Sequence, residues 1–333
     1  MAKILFLFPG WGRSGGARVV GEYAKGLAAR GHYVRLLNND NCMDPDWFDL
    51  GDAKCSRIHA ARSAEWDIVI CTNPTTVDRA LIFQSPGTKM VYFVQMAENY
   101  FFLAKSQRWN DALRTYKLAA NKGFEVITIG EWLERFLRQW PFQVIHQITN
   151  GVNFGEFYPV DQEPQAPYIL VEGDGRNEAK DTKGYGWAIA RQLRDRYGYV
   201  IKGVAAVRPA TDVFDQFVLN PTVADYRALY SGAEFMLKAS KYEGRSLAPL
   251  EAMACGTFTV RALRKGDEDL VHGENCLRCG YDYKALLALA FQAAEDADLR
   301  ARLRASVTAY AQEHLAWEPI IDRLETLLGI DGD

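Results

Sequence analysis

The chain has 333 residues, 48% of them apolar, and a formal net charge of −3. That length and apolar content suffice for two buried cores, so two domains are expected. The small acidic balance offers no basic field, which argues against nucleic acid as the main partner.

Met1-Ala2-Lys3 runs directly into the apolar stretch Ile4 to Phe8, without the pattern of a signal peptide, and no apolar run is long enough to cross a bilayer. A cytoplasmic protein is expected. The six cysteines are scattered, so reduced thiols are the default. Cys276 and Cys279 have ligand-like spacing, but a single pair points to ordinary thiols before zinc. The five histidines form no cluster, and His32 reads as part of a turn entering a strand.

In chain order, Ile4 to Phe8 suits a central parallel strand, Gly10 to Gly16 a glycine-rich loop, and Val19 to Arg30 a helix stopped by Gly31. Val34 to Leu37, Asp67 to Cys71, Met90 to Val94 and Val126 to Ile129 read as further buried strands, the last preceding a helix near Glu131. Strands alternating with helices predict a doubly wound α/β sheet. Three prolines between Tyr158 and Pro167 mark a linker, since proline cannot join a central strand. Beyond it the alternation restarts, with strands at Tyr168–Val171, Tyr199–Val204, Phe235–Leu237 and Thr257–Val260.

Three stretches carry the chemistry. Gly10-x-Gly12, with Gly15 and Gly16 behind it, follows a strand and opens a helix. The third glycine is misplaced for a dinucleotide fingerprint, but a phosphate-facing loop remains. Glu172 to Gly184 leaves the first strand of the second domain and holds Arg176, Lys180 and Lys183. An arginine fork with a lysine point charge suits a departing diphosphate, on which negative charge grows as the bond breaks; a solvated charged loop is the plainer reading. The third stretch runs from Tyr242 to Gly256. An apolar strand at Phe235 to Leu237 gives way to a polar loop with Glu243 and Gly244, then to a helix over Leu250 to Ala254 with Pro249 in its first turn. Glu243 in the loop and Glu251 in the first turn stand with seven residues between them. Both carboxylates are placed to accept from the hydroxyls of one extended ligand, although a glutamate at a helix start also favours the dipole in any protein.

Glu243-x7-Glu251 with Ala252-Met253-Ala254-x-Gly256 resembles the donor-site signature of the family 4 retaining glycosyltransferases. Asn150-Gly151-Val152-Asn153 before Phe157-Tyr158-Pro159 resembles the family's interdomain turn, and Ile127 to Leu133 the strand and helix before it, so the similarity covers nearly the whole chain. It implies the GT-B fold: α/β, with two Rossmann-like doubly wound domains facing a central crevice. The expected limits are 1–157 for the acceptor-side domain, 158–167 for the linker, 168–312 for the nucleotide-sugar domain, and 313–333 for a C-terminal helix crossing back to the first. The implied activity is retaining, metal-independent transfer of a sugar from a nucleotide-sugar donor to a carbohydrate or small-molecule hydroxyl, with no cofactor. A nucleotide-sugar epimerase or sugar phosphorylase of the same fold is the alternative, or a binding protein without turnover.

By the same resemblance, Arg176 and Lys183 clamp the diphosphate, with Lys180 competing for the lysine role, and Gly15 and Gly16 bring backbone amides close to diphosphate and acceptor. Glu243 holds sugar hydroxyls, Glu251 accepts from the ribose, and the Leu247 amide meets a phosphate. The leaving phosphate itself takes the acceptor proton, so no protein base is assigned. Where the family usually has Glu-Gly-Phe-Gly this chain has Glu243-Gly244-Arg245-Ser246, which adds a cation beside the sugar pocket. Gln95 stands where many members place a histidine; its amide bonds a sugar but does not titrate near neutrality. Gln95-x-x-Glu98-x-Tyr100-Phe101 resembles the rhamnan-type members and hints at a deoxysugar. Tyr100, Phe101 and Phe102 otherwise pack between helices. Trp132, Phe136, Trp140 and Phe142, interleaved with Arg135 and Arg138, suit either a peripheral membrane contact or a helical core with a solvated face, and the core is preferred.

Overall fold

The apolar run after Lys3 forms a strand whose residues Ile4 to Leu7 are all buried, as a central strand covered on both faces requires. In the computed structural model, which describes residues 1–38, 43–161, 166–172, 184–205, 207–208 and 211–331, the chain divides into two compact units. The first holds residues 1–150 together with the segment from Trp317 onward, and the second runs from Gly151 to Ala316.

The first unit alternates β1 (Lys3–Leu7), α1 (Gly15–Ala29), β2 (Tyr33–Leu37), β3 (Lys54–Cys55), α2 (Ile58–Arg62), β4 (Ile68–Cys71) and α3 (Pro74–Ala80). It continues with β5 (Lys89–Val94), α4 (Gln107–Asn121), β6 (Glu125–Thr128), α5 (Glu131–Leu137) and β7 (Ile145–Gln147). The sheet is parallel, in the order β3-β2-β1-β4-β5-β6-β7. The chain therefore walks outward from β1 to β3, returns, and walks the other way from β4. The switch point lies between β1 and β4.

Helix α1 starts earlier than the glycine pattern suggests. Ser14 takes the N-cap and its hydroxyl accepts from the Ala17 amide at 3.3 Å, so Gly15 and Gly16 form the first turn rather than a loop. The aromatic stretch in and after α5 serves the core: Trp132 is buried, and Phe136 and Trp140 pack edge-on to each other and against Tyr116. Tyr100 joins them against Trp132, whereas Phe101 remains exposed.

The second unit alternates β8 (Tyr168–Glu172), α6 (Gly184–Tyr197), β9 (Val200–Ala205), β10 (Gln216–Leu219), α7 (Val223–Gly232), β11 (Phe235–Tyr242), α8 (Leu247–Ala254) and β12 (Thr259–Lys265). It closes with β13 (Cys276–Cys279), α9 (Tyr283–Glu295) and α10 (Ala297–His314). This sheet too is parallel, in the order β10-β9-β8-β11-β12-β13, with its switch point between β8 and β11.

The units divide at Asn150/Gly151 and Ala316/Trp317. Val152 donates to the Leu315 carbonyl at 2.7 Å, and Phe157 lies in the second core, which fastens the turn to the second unit. Val160 donates to the Ser231 hydroxyl, so the proline segment also begins on that unit. The last helix, α11 (Trp317–Leu328), lies on α1. A Cβ on Gly26 would stand 2.6 Å from Ile321, so only glycine lets the two helices approach this closely. Arg30 pairs with Asp322 and Glu325, His32 meets Glu325 at 2.8 Å, and Lys89 donates to the Leu327 carbonyl.

Among the described residues no helix is long and apolar enough to cross a membrane, and no group of histidine, cysteine and carboxylate side chains could hold a metal ion. Burial pushes the Cys276 thiol up to about 12 and the Cys279 thiol up to about 11, which suits ordinary thiols.

Candidate active site

Open parallel sheets bind ligands beyond the carboxyl ends of their strands, at the switch point, because the two strands there send their loops to opposite sides. In the second unit Glu172 is the last residue of β8, and the β8–β11 register, in which Val171 faces Leu237, sets Lys238 beside it. Sequence reading ends this strand at Leu237 and sees a polar loop thereafter. The strand continues to Tyr242 because β12 pairs with it as far as Lys265. Lys238 is thus buried in a sheet. Its ammonium is bonded to the Glu172 carboxylate and stands 3.3 Å from the Glu243 carboxylate. Burial works against the charge, but Glu172 and Glu243 outweigh it and hold the ammonium above its ordinary range.

Glu243 and the loop behind it rest on the turn after β12. The Glu243 amide donates to the Lys265 carbonyl at 3.0 Å, and the Asp267 amide to the Gly244 carbonyl at 3.3 Å. Asp267 accepts from the Ser246 amide at 2.7 Å on one carboxylate oxygen and meets Arg261 at 2.6 Å on the other. Gly266 has φ +113°, and a Cβ there would stand 2.1 Å from the Glu243 carbonyl oxygen. Arg261 and Asp267 are both wholly buried. Burial pushes the Asp267 carboxyl up and Arg261 draws it down; the close contact and the Ser246 amide favour the ionised pair, which keeps the Arg261 guanidinium above its usual range against burial.

Ser246 is the N-cap of α8, without a side-chain cap bond, and no acidic residue sits in the first turn. The amides from Leu247 onward therefore open at the sheet's carboxyl end, under a positive dipole end. Glu251 stands in the second turn rather than the first, buried at 8% exposure. Its charge, behind the effect of burial, helps to push the Cys255 thiol up to about 12, and together with Glu172 it raises Tyr226. Glu172 and Glu243 thus meet at Lys238, while Glu251 is buried on α8. The Arg245 side chain is 8% exposed and pairs with Asp269 at 2.7 Å, whose carboxylate also accepts from Tyr310. Arg176, Lys180 and Lys183 lie outside the described residues, in the segment that leaves Glu172 and enters α6.

At the switch point of the first unit the chemistry is different. Gly15 and Gly16 are exposed at the start of α1, and Gln95, just past β5, donates to the Gly16 carbonyl at 3.3 Å. A side chain on Gly16 would meet the Gln95 amide at 3.6 Å. The structure thus brings the glycine pair and Gln95 together across 79 positions of sequence. Below them Glu98 is buried, accepts from the Tyr116 hydroxyl at 2.5 Å, and is pushed up to about 7 by burial, which the hydroxyl and backbone bonds only partly offset.

No protein-family model matches the chain, and no curated protein sequence matches it. Solved structures do. Sucrose-phosphate synthase from Thermosynechococcus elongatus is 17% identical with a TM-score of 0.77, over 98% of each chain. The HepE protein of Anabaena, solved with UDP and glucose, is 15% identical with a TM-score of 0.76, over 99% of this chain and 100% of that one. WaaG, a glycosyltransferase involved in lipopolysaccharide biosynthesis, is 15% identical with a TM-score of 0.75 over the same shares. The fold is GT-B. Within this GT-B chain, sequence reading overlooks Glu172, Lys238, Arg261 and Asp267. The signal for two of them is a cation inside a strand: Lys238 follows Phe235-Met236-Leu237, and Arg261 stands between Val260 and Ala262. A charge in such a place requires a buried partner.

Proposed function

We propose that this chain is a glycosyltransferase that moves a sugar from a nucleoside-diphosphate donor to a hydroxyl acceptor. What supports the reading is that Glu243 follows the end of β11 at the switch point of the second sheet, and that α8 begins just after it with no side-chain cap and carries Glu251 in its second turn. A nucleotide sugar needs a carboxylate for sugar hydroxyls, a second for the ribose, and amide donors between them for phosphate. Glu243 takes the first role, Glu251 the second, and the Leu247 amide the third. Gly244 and Ser246 lend backbone to the same loop, and Arg245 shapes it through Asp269. The UDP and glucose in the HepE structure support a donor of this class.

As C–O cleavage proceeds, negative charge grows on the leaving diphosphate. Arg176 and Lys183 are proposed to receive that charge, which leaves no step that a resident metal must supply. Transfer is proposed to retain the anomeric configuration, with the leaving phosphate taking the acceptor proton on the same face. On the acceptor side, the Gln95 amide and the Gly15–Gly16 amides serve as neutral hydrogen-bonding groups for a carbohydrate or small-molecule hydroxyl.

The test is a thermal-shift or calorimetric titration with UDP, GDP, dTDP, ADP and CDP, repeated on Arg176→Ala and Glu251→Ala. One nucleotide should stabilise the wild type and lose its effect in both variants. If none binds, the donor site has been misread. The anomeric configuration of the product, read by NMR with the matching nucleotide sugar, then decides retention.

A further inference from the structure

Lys238 is costly where it stands. Removing an ammonium from water carries a large desolvation penalty, and an apolar side chain of similar volume would pack in the same sheet without one. If the lysine only needed neutralising, Glu172 at the adjoining strand end would suffice. Its ammonium also meets Glu243 at 3.3 Å. The Glu243 side chain is 24% exposed, so it has water on one side and the ammonium on the other. Nearby charges are arranged to match: Arg261 on β12 acts on Glu243, and Asp267 absorbs Arg261.

We infer that Lys238 is a positioning residue, whose buried ammonium bridges Glu172 and Glu243 and so fixes the direction in which the Glu243 carboxylate presents its oxygens. This rests on the proposed role of Glu243 in holding donor-sugar hydroxyls. A carboxylate attached to a loop samples several rotamers; one anchored to a buried cation on a central strand is held near one orientation before ligand arrives.

The test compares the full chain as wild type, Lys238→Met, and Lys238→Met combined with Glu172→Gln. Amide hydrogen exchange without ligand reads the segment from Glu243 to Leu250, and calorimetry reads affinity for UDP and for UDP-glucose. In Lys238→Met two carboxylates face each other without their cation, so exchange in that segment should rise while the remainder of the second unit keeps its protection. The preference for UDP-glucose over UDP should fall about tenfold, and the double variant should regain part of it because the repulsion is gone. A lysine that merely stabilised the fold would change the melting temperature and leave the preference where it was.

Unchanged exchange in Lys238→Met, or an unchanged preference in protein that binds both ligands, overturns the inference. Should the wild type bind neither UDP nor UDP-glucose, the nucleotide that does bind among GDP, dTDP, ADP and CDP and its sugar replace them; if none binds, the donor reading is at fault and exchange alone decides the role of Lys238. If Lys238→Met does not fold, Lys238→Arg keeps the charge and changes its reach, and the same two readings apply.

Discussion

The two switch points of this molecule have the same backbone plan and opposite electrostatics. In each, a strand ends, a loop follows, and a helix begins beside a neighbouring strand end. In the second unit the loop rests on buried ions: Lys238 with Glu172 and Glu243, and Arg261 with Asp267. In the first unit the corresponding place is served by glycine backbone and the Gln95 amide, with the buried Glu98 carboxyl three residues past Gln95. Where a cation is supplied it works against burial: burial pushes the Asp267 carboxyl up, and Arg261 draws it back down. Glu98, opposed to burial only by hydroxyl and backbone bonds, is pushed up to about 7. The lesson is that burial pushes a carboxyl up in either unit, and the partner sets how much of that is opposed.

The comparison is broken most forcefully by removing one ion of a pair. Arg261→Met leaves Asp267 buried without its cation and should cost about 3–5 kcal/mol in urea unfolding, while the first unit keeps its own transition. A loss below 1 kcal/mol would mean that the pair is not ionised.

The first unit gives the opposite sign. The Glu98 carboxyl titrates about 2.5 pH units higher in the fold than its ordinary value of 4.5. Between those two pH values the folded chain holds a proton that the unfolded chain releases. The stability that Glu98 contributes is therefore whole below about pH 4.5 and lost as pH rises towards 7. The change amounts to about 3 kcal/mol, an order of magnitude obtained from that shift. Glu98→Gln, which retains an acceptor for Tyr116, should abolish this decline when unfolding is followed at several pH values. The same pH slope in variant and wild type would show that Glu98 ionises elsewhere.

The smallest effect sharpens the contrast at the loops themselves. The start of α1 is held by the single Ser14 cap, so Ser14→Ala should cost about 1 kcal/mol and raise hydrogen exchange at Gly15 to Ala17 only. A change that spreads to the whole of α1 would mean that the glycine turn is held by more than its cap.

By itself the sequence determined what neighbouring residues can specify. Ile4 to Phe8 and Met90 to Val94 are apolar runs with no polar residue to place in water, so buried parallel strands follow from them alone. Glycine punctuation located the loops, and the spacing from Glu243 to Glu251 placed both carboxylates on one loop and helix. Gln95 and the glycine pair were each readable, but their contact was not, because it joins two strand ends. The tertiary structure decided the rest. It set α1 at Gly15 through a cap, and carried β11 to Tyr242 through the register with β12. It assigned residues 151–157 to the second unit, with Val152 bonded to Leu315, and turned Arg245 inward to Asp269. Above all it made Lys238 admissible in a strand. That lysine looks like the start of a loop until Glu172, 66 positions earlier, arrives at the adjoining strand end. Periodicity and propensity act over a few residues, whereas the cost of a buried charge depends on what the fold sets beside it.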